Sequence, residues 1–325
     1  MDSTPSAALT ERKALSIFLT GATSPLGQVV TRKLTAAGHQ VTGVAEDATR
    51  AALLRNNGGL PIYADVSRVG ELKNAITFRK AEIVINLGSQ FPNHIPFMKS
   101  AWDSEGEVLL KNTEALVTAA AAAGATFYLH TSYAFVYGDR HGAWVDETSR
   151  PEPGDQPFLK AALHAEKKAL SAAIPACVLR LGYLYGAEVT ELHELTDTLL
   201  GARLPATSEG YANWIDLGDA AEAIRRAAEA RIAGGIYNIV DSAPASSHDF
   251  LKHFATALGL QSGTGMPAFL ERFLPAAPQI GLPGISVRAK NARAIADLGW
   301  TPRFNDHIAG IEDTLLSWRA AEAVR

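Results

Sequence analysis

An α/β fold with a doubly wound parallel sheet, followed by a smaller and mostly helical C-terminal domain, is what this sequence predicts. Three observations point to it. From residue 15 onward short β-branched or aromatic-rich runs alternate with helix-length amphipathic stretches, a glycine-spaced turn separates the first run from the first helix, and after Gly186 the rhythm changes to helices joined by Pro/Gly-rich loops.

The runs 15–20, 41–45, 61–64, 82–87, 126–131 and 177–181 are too short for helices and read as strands. Between them, 26–37, 48–56, 69–78, 109–123 and 157–173 carry helical spacing, with Gly38 and Gly124 placed as terminators. Strands joined through helices must run parallel, and a parallel sheet is buried on both faces. The segment 235–240 (GIYNIV) reads as a late return to that sheet. Asp219, with Glu222 three residues on, reads as the cap of a helix reaching about Arg231. The expected organisation is a loose leader over 1–14, a sheet domain over 15–186 with the return near 214–240, and a smaller domain over 187–325.

Composition narrows the function classes. With 325 residues and 47% hydrophobic content the chain can bury a large core. Thirty Lys+Arg against 34 Asp+Glu give a net charge of -4, so there is no basic field to hold a polyanion, and nucleic acid is not an expected partner. Cys177 is the only cysteine, which excludes an internal disulfide and a thiolate metal cage and fits a reducing compartment. Its strand setting makes it a packed small hydrophobe. The richest apolar stretch, 115–125, is short and Ala-dominated, so no membrane span is expected. The leader has no apolar signal segment, and the expected location is the cytoplasm.

The turn Thr20-Gly21-Ala22-Thr23-Ser24-Pro25-Leu26-Gly27 lies in the one context where spaced glycines gain meaning, between a strand and a helix. Gly21 permits the tight turn, Gly27 allows close packing of helix on strand, Ser24 is an N-cap and Pro25 the first helical residue. The helix N-terminus then offers free N–H groups and partial positive charge to a pyrophosphate. Ser24 stands where a middle glycine would allow the closest approach, and its hydroxyl is available to donate to phosphate. Pro25 contributes no N–H. A tight turn without any ligand remains the alternative.

With that turn, the chain resembles the extended short-chain dehydrogenase/reductase superfamily, the NAD-dependent epimerase/dehydratase group with its Rossmann fold, over about residues 15 to 320. Further matches are Tyr63-Ala64-Asp65-Val66, Asn86-Leu87-Gly88-Ser89, Asn112 within Lys111-Asn112-Thr113-Glu114, Val136-Tyr137-Gly138-Asp139, Leu179 through Gly186, and Leu298-Gly299-Trp300-Thr301-Pro302. The resemblance implies that Gly21, Thr23, Ser24, Pro25, Leu26 and Gly27 cradle the dinucleotide. By the same likeness Asp65 and Val66 contact adenine, Leu87, Gly88 and Ser89 line the diphosphate, and Asn112 braces the active-site helix. It also implies a homodimer through the helices at 109–123 and 157–173. A carboxylate at the end of the second strand accepts from a ribose 2'-OH and repels a 2'-phosphate, so Glu46 favours NAD, with NADP left open. Ala45 occupies the place of the usual acid, and Glu46 and Asp47 can equally be helix-start residues.

The family's redox chemistry needs a phenol to exchange a proton with the substrate oxygen, a lysine four residues later, and a Ser or Thr to orient the oxygen. Residues 156–166 match the helix that carries Tyr-x-x-x-Lys, and they place Phe158 at the tyrosine and Ala162 at the lysine. Inspection of all eight tyrosines finds no lysine four residues on, so no shift of alignment restores the motif. Phe cannot donate a proton, and an acid/base of this kind is generally worth about 10²–10⁴ in rate. The orienting position falls on Tyr133, with Ser132 adjacent. Tyr133 either presents a phenol to the hydride site from another direction or fills the volume left by the missing pair. Lys160 and His164 share a helix face that reads as surface, and Glu191, His193 and Glu194 lack the spacing of a zinc site, so no metal is expected.

The resulting expectation is an NAD(P)-binding, atypical extended-type oxidoreductase or epimerase-like enzyme acting on a carbonyl or alcohol. The short connection 200–214 favours a substrate smaller than a nucleotide-sugar. Two alternatives stay open: a non-catalytic dinucleotide-binding sensor or assembly protein, and a fold that has abandoned dinucleotide.

Overall fold

The computed structural model describes residues 13–87, 99–200, 209–260 and 284–323. Strands β1 (Ser16–Thr20), β2 (Gln40–Val44), β3 (Leu60–Ile62), β4 (Ile83–Asn86) and β5 (Phe127–Tyr133) alternate with helices α1 (Pro25–Ala36), α2 (Ala48–Asn56), α3 (Val69–Arg79) and α4 (Lys99–Ala122). A short strand β6 (Trp144–Val145), helix α5 (Pro157–Leu170) and strand β7 (Ala176–Leu181) follow. Then come β8 (Tyr183–Tyr185), α6 (Thr190–Leu200), β9 (Tyr211–Ala212), β10 (Trp214–Asp216), α7 (Leu217–Ala230) and β11 (Ile236–Ile239). The chain closes with β12 (Ala245–Ser246), α8 (Ser247–Ala257), β13 (Arg288–Ala289), α9 (Ala292–Leu298) and α10 (His307–Ala323).

Seven strands form one parallel sheet in the order β11-β7-β5-β4-β1-β2-β3. The expected return strand is β11, in register with β7. Side chains alternate between the two faces as the strand period of two requires. Ile17, Leu19, Ile83, Ile85, Leu129 and Leu179 pack with α1 and α7, while Phe18, Val84 and Tyr128 pack with α3 and α4. Strands buried on both faces explain why their sequences are apolar runs rather than alternating patterns. Burial pushes the Cys177 thiol up to about 12, which makes it an inert packing group.

Two expectations need correction. Helix α4 begins at Lys99, ten residues before the predicted start, because the polar segment from Lys99 to Val108 carries little apolar periodicity of its own. Asp219 is not the N-cap of α7. The helix starts at Leu217 and Asp216 caps it, accepting from the N–H groups of Gly218 (2.8 Å) and Asp219 (3.1 Å). Asp219 instead accepts from the Phe304 N–H (3.1 Å), and its backbone carbonyl accepts from the Trp300 indole (3.0 Å). It therefore ties the Leu298–Pro302 segment to the sheet unit. Of the helices after Gly186, α7 covers the sheet beside α1, whereas α8 and α10 pack on each other next to the small pairs β10–β8 and β12–β9. No described helix is long and apolar enough to cross a membrane.

Candidate coenzyme and active site

The strand order reverses between β1 and β4, and in such sheets ligands bind in the crevice beyond the carboxyl ends of the strands at that reversal. The turn 20–27 leaves β1 there. Gly21 has φ +69°, and a Cβ on it would lie 2.7 Å from the Leu87 carbonyl oxygen. A Cβ on Gly27 would lie 2.0 Å from the Gly21 carbonyl oxygen, so helix and turn touch where only glycine fits. Pro25 occupies the first turn, no acidic residue opposes the positive end of α1, and Ser24 is its cap. The Ser24 hydroxyl accepts from the Gly27 N–H (2.9 Å) and donates to the Gly21 carbonyl (2.8 Å). The expectation that it donates to phosphate is thereby corrected, since its proton is used within the turn. Among the described residues, the N–H groups of Thr23 and Leu26 have no such acceptor. A donor-rich cradle of this kind fits the diphosphate of a dinucleotide.

Around the cradle, Leu87 is fully buried beneath Gly21. Gly88 and Ser89 lie outside the described residues. At the end of β2, Ala45 is buried and its N–H bonds the Ile62 carbonyl, Glu46 is exposed, and the Asp47 carboxylate caps α2 by accepting from the Arg50 N–H at 2.7 Å. The Arg50 guanidinium reaches back to the Thr23 carbonyl (Nη1 at 3.4 Å). Asp65 is exposed, with one carboxylate oxygen bonded to the Ser67 N–H and hydroxyl (2.8 Å each) and the other paired with Arg68 (3.1 Å). These hydrogen bonds from Ser67 hold the carboxyl below its ordinary range. Val66 is half-buried against the α3–α4 face. At the end of β4, Asn86 accepts from Thr20 (2.9 Å) and donates to Thr113 (3.2 Å), and it lies 3.3 Å from His130 Nδ1. Burial drives the His130 pKa down to about 4, so the imidazole is neutral. Thr113, next to Asn112, is the α4 side chain this network engages.

Side chains of β5, α5 and β8 converge in one largely aromatic cluster. Tyr133, 3% exposed, faces Phe158 on the first turn of α5 with ring centroids 5.1 Å apart. Phe135 continues the wall, 6.0 Å from Tyr133 and 4.3 Å from the half-buried Tyr183. Ala162 lies one helical turn beyond Phe158 in the same cluster. The positions matched to tyrosine and lysine thus carry apolar groups inside an aromatic wall.

Ser132 points to the other side of this arrangement. Its hydroxyl donates to Glu166 Oε1 (2.6 Å), and Glu166 takes a two-pronged bond from Arg180 (Nε 3.0 Å, Nη2 2.7 Å). Ser132, Arg180 and Asn238 are neighbours across β5, β7 and β11. Arg180 stacks on the Tyr137 ring at 4.9 Å, and the Tyr137 hydroxyl donates to Asn238 (2.9 Å). Burial opposes the charge on Arg180, yet the Glu166 carboxylate outweighs it and holds the guanidinium above its ordinary pKa. Glu166 was open to detection in the sequence, as the one acid on the α5 face formed by Phe158, Leu159, Ala162, Ala165 and Ala169. Lys160 and His164 are exposed, as expected. Among the described residues no group of His, Cys, Asp and Glu has the arrangement of a metal site.

A doubly wound parallel sheet with a glycine cradle at its reversal point defines the class of dinucleotide-binding α/β proteins. Within that class, the chain belongs to the NAD dependent epimerase/dehydratase family, whose model matches residues 17–240. A Streptomyces sp. protein named 3-diazoavenalumate denitrifying reductase is 27% identical over 300 residues, covering 89% of this chain and 96% of the relative. An epimerase family protein of Mycobacterium leprae is 27% identical over 167 residues, 49% of this chain and 53% of that one. Among solved structures, a dTDP-glucose 4,6-dehydratase from Streptomyces venezuelae crystallised with NAD has a TM-score of 0.78 at 17% identity, covering 94% of this chain and 98% of the other. A UDP-glucose 4-epimerase from Stenotrophomonas maltophila, with bound NAD, has 0.76 at 18% identity, covering 96% of this chain and all (100%) of the other. These two share the fold. NAD is the coenzyme of the family.

Proposed function

We propose that the protein is a nicotinamide-dependent reductase for a small aromatic electrophile whose reduction requires no proton from the protein. The observation that carries this reading is the apolar replacement at the family's acid/base positions, Phe158 and Ala162, inside a wall completed by Tyr133, Phe135 and Tyr183. Gly21, Thr23, Ser24, Pro25, Leu26 and Gly27 form the diphosphate cradle in this reading, with Leu87, Gly88 and Ser89 beside it and Asp65 and Val66 flanking adenine. Reduced coenzyme, when bound, supplies a hydride.

What this chain's residues supply is a flat, water-excluding surface. Aromatic faces attract a cationic or electron-poor ring. An arenediazonium is such a group: its carbon gains a hydrogen with its electron pair while the carbon–nitrogen bond breaks, its pair leaving with dinitrogen. Charge and atoms balance without an acid, and the name of the Streptomyces relative, a denitrifying reductase of a diazo acid, supports this substrate class. Ser132 serves as a positioning residue through Glu166. A second reading, carbonyl reduction with the Tyr133 phenol as proton donor, is favoured by the place of Tyr133 at the orienting position. We further infer a cytoplasmic homodimer formed through α4 and α5.

The test is reduction of an arenediazonium acid and of a carbonyl panel with coenzyme deuterated at nicotinamide C4, in water, beside a parallel reaction with ordinary coenzyme in heavy water. The expected result is deuterium in the aromatic product from the coenzyme alone, no solvent isotope effect, and less than about twofold loss in Tyr133→Phe. A loss of about 10²–10⁴ in that variant, with turnover confined to carbonyls, would establish the second reading instead. Absence of any coenzyme oxidation across both panels would refute both.

A further inference from the structure

We propose that the C-terminal helix α10 is seated on the sheet unit by a buried carboxyl cluster in which Asp241 keeps its proton, so that α10 undocks as pH rises. The inference concerns this docking alone and stands whether or not the coenzyme reading holds. Asp241 follows β11 and is 1% exposed, and among the described residues neither of its carboxylate oxygens has a hydrogen-bond partner. Its surroundings oppose ionisation. The charges acting on it are those of Asp306, just before α10, and Asp219 on α7, while these three acids and Asp216 at the end of β10 all act on the buried Tyr185 hydroxyl of β8. Asp313, further along α10, adds to the charge felt by Asp216. The cations that reach the cluster, Lys33 and Arg303, act on Asp219 and not on Asp241. Burial and His253 push the pKa of His307, the first residue of α10, below its ordinary value, so it supplies no counter-charge at neutral pH. A carboxylate without donors or counter-charge is costly in the interior, whereas the neutral acid is tolerated.

The same place is where α10 lands. A Cβ on Gly310 would overlap the Tyr185 hydroxyl, which donates to the Asp306 carbonyl at 3.4 Å, and the Ser242 and Ala243 N–H groups beside Asp241 donate to the Asn305 carbonyl (2.9 and 3.0 Å). Ionising Asp241 sets like charge against Asp306 across this contact, and opening the contact to water relieves it. The Asp241 N–H also donates to the Trp214 carbonyl (2.8 Å), and the Trp214 ring lies 5.3 Å from Tyr183, so the seat adjoins the aromatic wall. A carboxyl whose pKa is raised by folding stabilises the docked form fully below its unfolded value and loses that contribution as pH rises through the folded one.

Hydrogen exchange of the full chain, read by mass spectrometry from about pH 5 to about pH 9 and corrected for intrinsic exchange, tests this. Above the midpoint, protection of the α10 amides around Gly310 and Ile311 is expected to fall about tenfold per pH unit, the slope of one proton, while β1 and β4 stay protected. Asp241→Asn, the uncharged isostere, should flatten that fall, and Asp306→Asn should move its midpoint to lower pH. Infrared difference spectra at neutral pH, native minus Asp241→Asn, should contain the carbonyl stretch of a protonated carboxyl. Absence of that band overturns the protonation of Asp241, as does an unchanged pH profile in Asp241→Asn. Protection of α10 that does not vary with pH, or that is lost in step with β1, overturns the docking device.

Discussion

Removing the Glu166 carboxylate should destabilise the chain by leaving a buried charge without its partner. Glu166 and Arg180 are 4% and 3% exposed, joined by two hydrogen bonds, with Ser132 adding a third at 2.6 Å. In Glu166→Ala the guanidinium stays buried without its counter-charge, which for such pairs costs about 3–5 kcal/mol. With an unfolding entropy of about 2.1 cal/mol/K per residue, a chain of 325 residues should lose about 4–7 °C in Tm. Glu166→Gln keeps an acceptor for Ser132 and should lose roughly half as much. The double replacement Glu166→Leu with Arg180→Met removes both charges and should recover to within about 2 kcal/mol of the native chain. Differential scanning calorimetry at one pH, with urea unfolding in parallel, measures all three. A shift below about 2 °C in Glu166→Ala would show that water or another group meets the guanidinium, and the account of Ser132 as a residue held by this pair would be wrong.

Gly27→Ala places a Cβ against backbone only 2.0 Å away, so the chain should either fail to accumulate or lose dinucleotide binding entirely in calorimetry; native affinity would contradict the close contact. Burial and the neighbouring Asp219 raise the Asp216 pKa from 3.8 to about 6. A raised carboxyl binds its proton more tightly when folded, so its contribution to stability is greatest below pH 3.8 and is lost as pH rises to about 6. Asp216→Asn keeps a side-chain cap for the N–H groups of Gly218 and Asp219 and removes the titration. It should stabilise the chain by about 2–3 kcal/mol at pH 7 and leave it little changed at pH 4, and equal effects at the two pH values would refute the assignment. Introducing Phe158→Tyr with Ala162→Lys should not confer carbonyl reduction unless Tyr133 is also made small, because the aromatic wall fills that space; steady-state assays with Tyr133→Ser added make the comparison.

What could be read without a structure was local. Strand β1 and helix α1 declare themselves by period, cap and terminator, and the helical spacing of 48–56 coincides with α2 because its signals act within a dozen positions. The absence of any Tyr-x-x-x-Lys is likewise a matter of counting. Asp219 was misread because its sequence surroundings look like a cap, whereas its partner Phe304 is 85 residues away. The first ten residues of α4 were missed because a polar helix is legible only through the surface it packs against.

Sequence alone therefore determined the parallel sheet, the glycine-spaced turn and the absence of any Tyr-x-x-x-Lys, since each depends on residue type and short spacing. Tertiary structure decided where hydroxyls and charges are directed: Ser132 to Glu166, 34 residues distant, and Arg50 to Thr23, 27 residues distant. Such pairings are set by how strands and helices stack, because hydrogen bonds and ion pairs reach only a few ångströms and carry no trace in the linear order of the chain.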